Sequence, residues 1–155
     1  MSLSDLTIRT AGSADLPALL DLYQHLNPGD ERPTGPQAEA ALERLMRYEG
    51  SAIFIALSDA TPAASCTLVV IPNLTRGGAP YGLVENVVTH AAYRNRGIGQ
   101  RLMDHATEAA WQAGCYKLML MTGSTQPETL GFYQRAGFEQ SKTGFQKRRI
   151  APRPE

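Results

Sequence analysis

Leu83-Val84-Glu85-Asn86-Val87-Val88-Thr89, followed after three residues by Tyr93-Arg94-Asn95-Arg96-Gly97-Ile98-Gly99-Gln100-Arg101-Leu102, decides the fold. The first run is apolar and β-branched, as a strand requires. The second is a basic, glycine-bearing turn that opens an amphipathic run reaching to about Ala113. A strand, a tight turn and a helix start, in that order, make an anion cradle. The first backbone N–H groups of a helix have no partner within it, and the aligned peptide dipoles add partial positive charge there. Gly97 and Gly99 carry no side chain, so a phosphate can approach the backbone. Arg94, Arg96 and Arg101 surround that point with charge. The stretch reads as a pyrophosphate site.

Working outward, Leu6–Thr10 alternates and predicts a first strand. Ser13 or Asp15 is placed to cap a helix whose apolar face is Leu16, Leu19, Leu20, Tyr23 and Leu26. Thr34 and Gln37 have capping-box spacing, three residues apart. They open a second helix with Ala38, Ala41, Leu42, Leu45 and Met46 inward. Ala52–Leu57 and Ser65–Ile71 read as strands joined through Ser58–Pro62. Tyr81–Thr89 is the fourth strand. The helix after the cradle places Ile98, Leu102, Ala106, Ala109 and Ala113 on one side and stops at Gly114. Lys117–Thr122 is apolar on both faces, which predicts a central strand covered on both sides. A short helix over Glu128–Ala136 is stopped by Gly137. Strands are expected from Phe138 and over Thr143–Arg149. Strands, then a helical crossover, then strands predict a mixed α/β sheet with helices on both faces.

The totals narrow the classes. A chain of 155 residues is one domain by length, expected over 6–150, with 151–155 a flexible tail. Fifteen Lys and Arg balance fifteen Asp and Glu, so there is no global field for nucleic acid or an anionic membrane. No apolar run reaches spanning length and the N-terminus shows no export signal, so the expected compartment is the cytoplasm. Cys66 and Cys115 form no disulfide framework or metal-ligand spacing and read as small buried hydrophobes. No metal site is expected.

Arg94-x-x-Gly97-x-Gly99, after a strand bearing Glu85, resembles the acyl-CoA signature of the GNAT-family N-acetyltransferases. Phe132-Tyr133-Gln134-Arg135-Ala136-Gly137-Phe138 is similar to that family's Phe-Tyr-x-x-x-Gly-Phe segment. Glu85-Asn86-Val87-Val88 and Gly114-Cys115-Tyr116-Lys117 are also similar to the glucosamine-6-phosphate acetyltransferase branch. The resemblance implies a mixed, mostly antiparallel sheet of about six to seven strands. It implies a single acyl-CoA N-acyltransferase domain moving an acetyl group from acetyl-CoA to a primary amine by direct attack in a ternary complex. In that frame Val87, Val88, Arg94, Asn95, Arg96, Gly97, Ile98, Gly99, Gln100 and Arg101 bind the co-substrate. Val87 and Val88 act through the backbone, since their side chains do no acid–base work. The chain departs from the family at Gln126, where many relatives carry an Asn that contacts the pantetheine arm.

The residues present suit this chemistry. An alkyl ammonium, with a reference pKa of roughly 10.4, must lose a proton before it attacks. Glu85 is the candidate base, through water, or else a contact for the substrate ammonium. Tyr133, the family's general acid, stays protonated at neutral pH and suits the leaving thiolate. His90 is a second candidate base between Glu85 and the cradle. The acceptor is a small-molecule or peptide amine, gripped in this family by the first helices and two loops, here Asn27–Thr34 and Asn73–Pro80. Arg76 suits a carboxylate or phosphate, and Asp30 and Glu31 suit an amine. Members often dimerise, and nothing in the sequence fixes the oligomeric state. Two other readings stand beside this one. A dinucleotide fold is disfavoured because Leu102 occupies the third glycine position of its fingerprint. A non-catalytic acyl-CoA-binding or protein-interaction module would need neither Glu85 nor Tyr133.

Overall fold

The structure, a computed structural model, describes residues 5–153. The chain forms two compact units, Met1–Thr122 and Gly123–Glu155.

The first unit is one sheet of five strands in chain order. β1 (Leu6–Thr10), β2 (Ala52–Ser58), β3 (Thr61–Ile71) and β4 (Tyr81–Thr89) are antiparallel neighbours. β5 (Leu118–Leu120) lies parallel to β4. A parallel pair needs a crossover, and α3 (Ile98–Gln112) supplies it. Adjacent residues of β2 show which helices cover which face. Ile55 joins Ala11 and residues of α1 (Leu16–Leu26) and α2 (Gly35–Met46), namely Leu16, Leu19, Ala38 and Leu42, in one buried cluster. Phe54 instead meets His105 of α3 edge-on at 4.8 Å. Helices therefore lie on both faces, as the sequence predicts.

Local chemistry explains the boundaries. Thr34 accepts from Gln37 N–H at 3.3 Å while Gln37 Oε1 accepts from Thr34 N–H at 2.9 Å, the predicted capping box. Asp15 stands before α1 but does not cap that helix with its carboxylate, which instead closes the short turn over Ser13–Asp15. It accepts from Gly12 N–H at 2.8 Å and takes the Arg9 guanidinium two-handed at 2.7 and 2.8 Å. Arg9 above all, with Gly12 N–H, holds the Asp15 carboxyl down to about 2. Gly114, with φ +85, ends α3 through bonds from Gly114 N–H to Trp111 O and from Cys115 N–H to Ala110 O.

Several boundaries differ from expectation. β3 begins at Thr61 rather than Ser65, because Asp59 and Ala60 both take left-handed φ and close a two-residue hairpin turn. Pro62 is tolerated beside a bulge at Ala56/Leu57. The inner stripe of α2 is narrower than predicted, with Ala38 and Leu42 buried and Ala41 and Met46 exposed. In α1, Leu22 joins Leu16 and Leu19 inside. In α3, Met103 and Ala110 are buried, not Ala109 and Ala113. β5 is three half-buried residues at the sheet edge, not a covered central strand.

The second unit holds α4 (Pro127–Arg135), close to the predicted Glu128–Ala136. The strands expected from Phe138 and over Thr143–Arg149 are not formed. Phe138 is half-buried, but over Thr143–Arg149 nothing apolar is covered, Phe145 being 95% exposed among Lys147, Arg148 and Arg149. The described sheet therefore has five strands rather than six to seven. Residues 151–153 are exposed and irregular, and the rest of the expected tail lies outside the described residues.

Gly50 joins α2 to β2 with φ +83, and a Cβ there would meet Ala113 Cβ at 3.0 Å and Val70 Cγ2 at 3.1 Å. Gly29 shares the conformation, φ +80, with nothing within 4 Å. Gly50→Ala is expected to lower stability in urea denaturation by about 1–3 kcal/mol, and by more than Gly29→Ala, which carries backbone strain alone.

Candidate active site

β4 is the backbone of the site. On one side it pairs with β3 as far as Thr89, opposite Ala64. On the other it pairs with β5 only at Gly82, Leu83 and Val84. Beyond Val84 no described strand covers that edge. Register with β3 also slips there: Thr67 faces Glu85 and Ser65 faces Val88, so β4 carries one residue too many. The extra residue centres on Asn86, which takes φ 51, a conformation that Asn tolerates better than most residues. The bulge turns the backbone between Glu85 and Val88 out of the regular ladder just where the neighbouring strand ends.

Glu85 is half-buried, and its carboxylate makes no hydrogen bond or ion pair among the described residues. Its cross-strand partner Thr67 and the nearby Ser65 are buried polar residues. Tyr23 of α1 hydrogen-bonds to both, and burial pushes its phenol up. A polar patch thus lies on the Glu85 face of the sheet. Tyr23 reads in sequence as one more member of an apolar helix face; only strand register reveals its partners. Val88 is 4% exposed and Val87 half-buried, so their side chains are packing residues.

The chain leaves β4 through a single 3-10 turn, Ala91–Tyr93, capped when His90 Nδ1 accepts from Ala92 N–H at 3.0 Å. His25, in the last turn of α1, stacks against His90 with ring centroids 4.0 Å apart, and its Nδ1 accepts from Ala91 N–H at 3.4 Å. The Arg94 guanidinium donates to Thr89 O at 3.3 Å and His25 O at 3.4 Å. Arg94 therefore straps the end of α1 to the end of β4. The Arg96 guanidinium lies 5.2 Å from the centre of the Tyr93 ring. This histidine pair has no spacing signature, since its members are 65 residues apart and meet only through α1–β4 packing.

Asn95 (φ 61) and Gly97 (φ 77), both left-handed, then curl the backbone into α3. Gly97 is the N-cap and no side chain caps the helix. The first intrahelical bond runs from Arg101 N–H to Gly97 O at 3.2 Å, so the N–H groups of Ile98, Gly99 and Gln100 precede it. Ile98, 3% exposed, anchors the tip to the core. Gln100 is half-buried, reaching Asp104 at 3.2 Å, and Arg101 is exposed. A helix whose cap residue has no side chain leaves its donors and its positive dipole end open to an anion.

Tyr133 belongs to the second unit. There the Phe132–Phe138 motif has a plain physical basis. Gly137, φ +92, closes α4 with bonds from Phe138 N–H to Tyr133 O at 3.1 Å and from Gly137 N–H to Gln134 O at 3.0 Å. The Tyr133 and Phe138 rings stack edge-on at 6.4 Å, the apolar contact that accompanies such a C-cap. Gln126, the departure from the family pattern, is the N-cap of α4. Both cysteines are buried, and burial pushes the Cys66 thiol up to about 12, far from nucleophilic use.

Comparison with known proteins bears on the fold as a whole. The family model for acetyltransferases of the GNAT family matches residues 16–138. A glucosamine 6-phosphate N-acetyltransferase from Trypanosoma brucei brucei is 30% identical over 136 residues, 86% of this chain and 89% of its own. A protein assigned as an acetyltransferase from Agrobacterium tumefaciens str. C58 superposes with a TM-score of 0.86 at 47% identity, covering 92% of this chain and 99% of its own. The glucosamine-6-phosphate N-acetyltransferase of Arabidopsis thaliana shares the fold, with a TM-score of 0.83 at 19% identity over 94% of this chain and 99% of its own.

Burial, then His90 and Arg94, hold His25 below its ordinary 6.5. The unfolded chain then takes up the proton more readily, so this contribution to stability is full above pH 6.5 and is lost as pH falls through the lower folded value. Protonation at Nδ1 also removes the acceptor for Ala91 N–H. Denaturation midpoints measured from pH 7.5 down to pH 5 should fall, and His25→Gln should flatten the slope.

Proposed function

The chain belongs to the acetyltransferase (GNAT) family, and from that premise we propose that it moves an acetyl group from acetyl-CoA to a primary amine by direct attack in a ternary complex. It is an acetyl-CoA-dependent N-acetyltransferase. The observation that carries the mechanism is the side-chain-free cap of α3 directly after a bulged strand with which no described strand pairs on one side beyond Val84. The amides of Ile98, Gly99 and Gln100 take the diphosphate, with Arg96 and Arg101 adding charge. Arg94, engaged with backbone carbonyls, holds the turn in shape and contributes its field.

The pantetheine arm then runs along the open edge of β4, and the thioester reaches the bulge. A backbone N–H of Val87 or Val88 stabilises the carbonyl oxygen as the amine adds. Glu85 accepts the ammonium proton through water; its lack of a protein partner leaves it available for that work. The new C–N bond forms, the C–S bond breaks, and Tyr133 protonates the departing sulfur. The relatives' activity supports an amino-sugar phosphate as acceptor.

Four measurements test this. Gly97→Val should raise the acetyl-CoA KM at least about tenfold, because a β-branched residue resists positive φ and crowds the diphosphate. Glu85→Gln should lose rate most at low pH; an unchanged pH–rate profile would remove Glu85 as base. Tyr133→Phe should lower kcat about 100-fold with little change in KM. Release of free CoA thiol with glucosamine 6-phosphate, but not from acetyl-CoA alone, is the expected outcome for the acceptor.

A further inference from the structure

The sheet face under α1 holds a chain of hydroxyl groups that packing alone does not explain. Ser65 is fully buried and Thr67 is 7% exposed, on a strand whose other buried positions are Ala63, Ala64, Cys66, Leu68 and Val70. Tyr23 of α1 hydrogen-bonds to both hydroxyls. Strand register sets Thr67 directly opposite Glu85. Side chains at directly opposed positions share a face, with Cβ atoms about 5 Å apart. The hydroxyl chain therefore ends beside the Glu85 carboxylate.

The hydrogens of this chain can be assigned one by one. A hydroxyl has a single hydrogen to give. Ser65 Oγ gives its own to Phe54 O at 2.9 Å. Toward Tyr23, Ser65 is therefore an acceptor, and the phenol donates to it. With its hydrogen committed there, the Tyr23 oxygen meets Thr67 as an acceptor, and Thr67 Oγ1 donates. The chain runs one way, from Thr67 through Tyr23 and Ser65 to a backbone carbonyl. At its outer end Thr67 Oγ1 keeps only lone pairs for whatever lies beside Glu85. An ionised carboxylate also only accepts. Two acceptors side by side call for a donor of two hydrogens between them.

We infer that Thr67 Oγ1 and the Glu85 carboxylate seat the water that carries the acceptor's proton, and that Tyr23 is a positioning residue acting through Thr67. The inference rests on the proposed role of Glu85 as base. A water donating both hydrogens to this pair turns a lone pair outward, toward the incoming ammonium. The ammonium N–H gives its proton to that lone pair while the water passes one of its own to Glu85. The amine is left neutral, with an electron pair free to attack, and Glu85 is left as the carboxylic acid. Thr67 makes and breaks no covalent bond. Were its hydrogen free, Thr67 would fill the water's lone pair and turn a hydrogen toward the ammonium instead.

A crystal structure of the CoA-bound protein should show an ordered water within about 3.2 Å of both Thr67 Oγ1 and a Glu85 carboxylate oxygen. A gap without that water overturns the inference. The kinetic arm uses acetyl-CoA and glucosamine 6-phosphate. Tyr23→Phe and Thr67→Val should each lower kcat/KM for the amine about tenfold at neutral pH, with the acetyl-CoA KM unchanged, and Thr67→Ser should keep most of the wild-type rate. The deficit should shrink as pH rises and the amine arrives already neutral, whereas a purely structural defect would persist at every pH. Wild-type rates in Tyr23→Phe and Thr67→Val beside a slow Glu85→Gln overturn the water seat and leave the base in place. A wild-type rate in Glu85→Gln removes the base, and the seat with it.

Discussion

The first unit depends on β4 being paired differently on its two sides. Its ladder with β3 runs to Thr89, while its ladder with β5 ends at Val84. A strand in that position must either find another partner or keep polar backbone groups facing outward. The surplus residue at Asn86 falls at the first position past the shared segment, so the ladder's irregularity coincides with its exposure. The same strand delivers the chain into α3, which fixes the helix tip relative to the bulge. Glu85, the bulge and the amides of Ile98 to Gln100 are all placed by this one strand and its exit.

Charge is distributed with similar economy. The chain is neutral overall, yet five of its fifteen cations are held in two contrasting ways. Arg9 and Arg32 are matched by Asp15 and Asp21, at 2.7 and 2.6 Å, and serve as braces around α1. Arg94 is held by carbonyl oxygens, and Arg76 and Lys117 by tyrosine faces. Carbonyls and aromatic rings orient a cation without cancelling its charge, so the field survives to act on something else. Net charge alone conceals this arrangement.

Much of the fold was legible in the sequence where local chemistry decides structure. Thr34 and Gln37 announced their reciprocal cap, Gly114 and Gly137 their helix ends, and Leu83–Thr89 with the glycine turn announced the strand-to-helix cradle. What stayed hidden depends on partners distant in the chain. The bulge at Asn86 is a mismatch of register between β3 and β4, invisible in β4 read alone. Tyr23 looked apolar because its hydroxyl partners, Ser65 and Thr67, lie more than forty residues on. Lys117–Thr122 looked central because its side chains are apolar on both faces, but a strand is central only when two others pair with it. The expected last strands failed for a related reason: alternation at Thr143–Arg149 describes a possible face, and exposed Phe145 shows that nothing described buries it.

The bare cap of α3 has a consequence for how the protein persists. Most helices secure their first turn with a side chain of their own, but here the residue at that place is glycine in a left-handed conformation, where a serine or aspartate would be strained. On the proposed assignment, the missing bonds come from the co-substrate. Free energy gained only by the folded form grows with the logarithm of ligand concentration. The endurance of this chain against heat and proteases is thereby tied to metabolic supply, and a well-fed cell would hold more of it intact than a starved one.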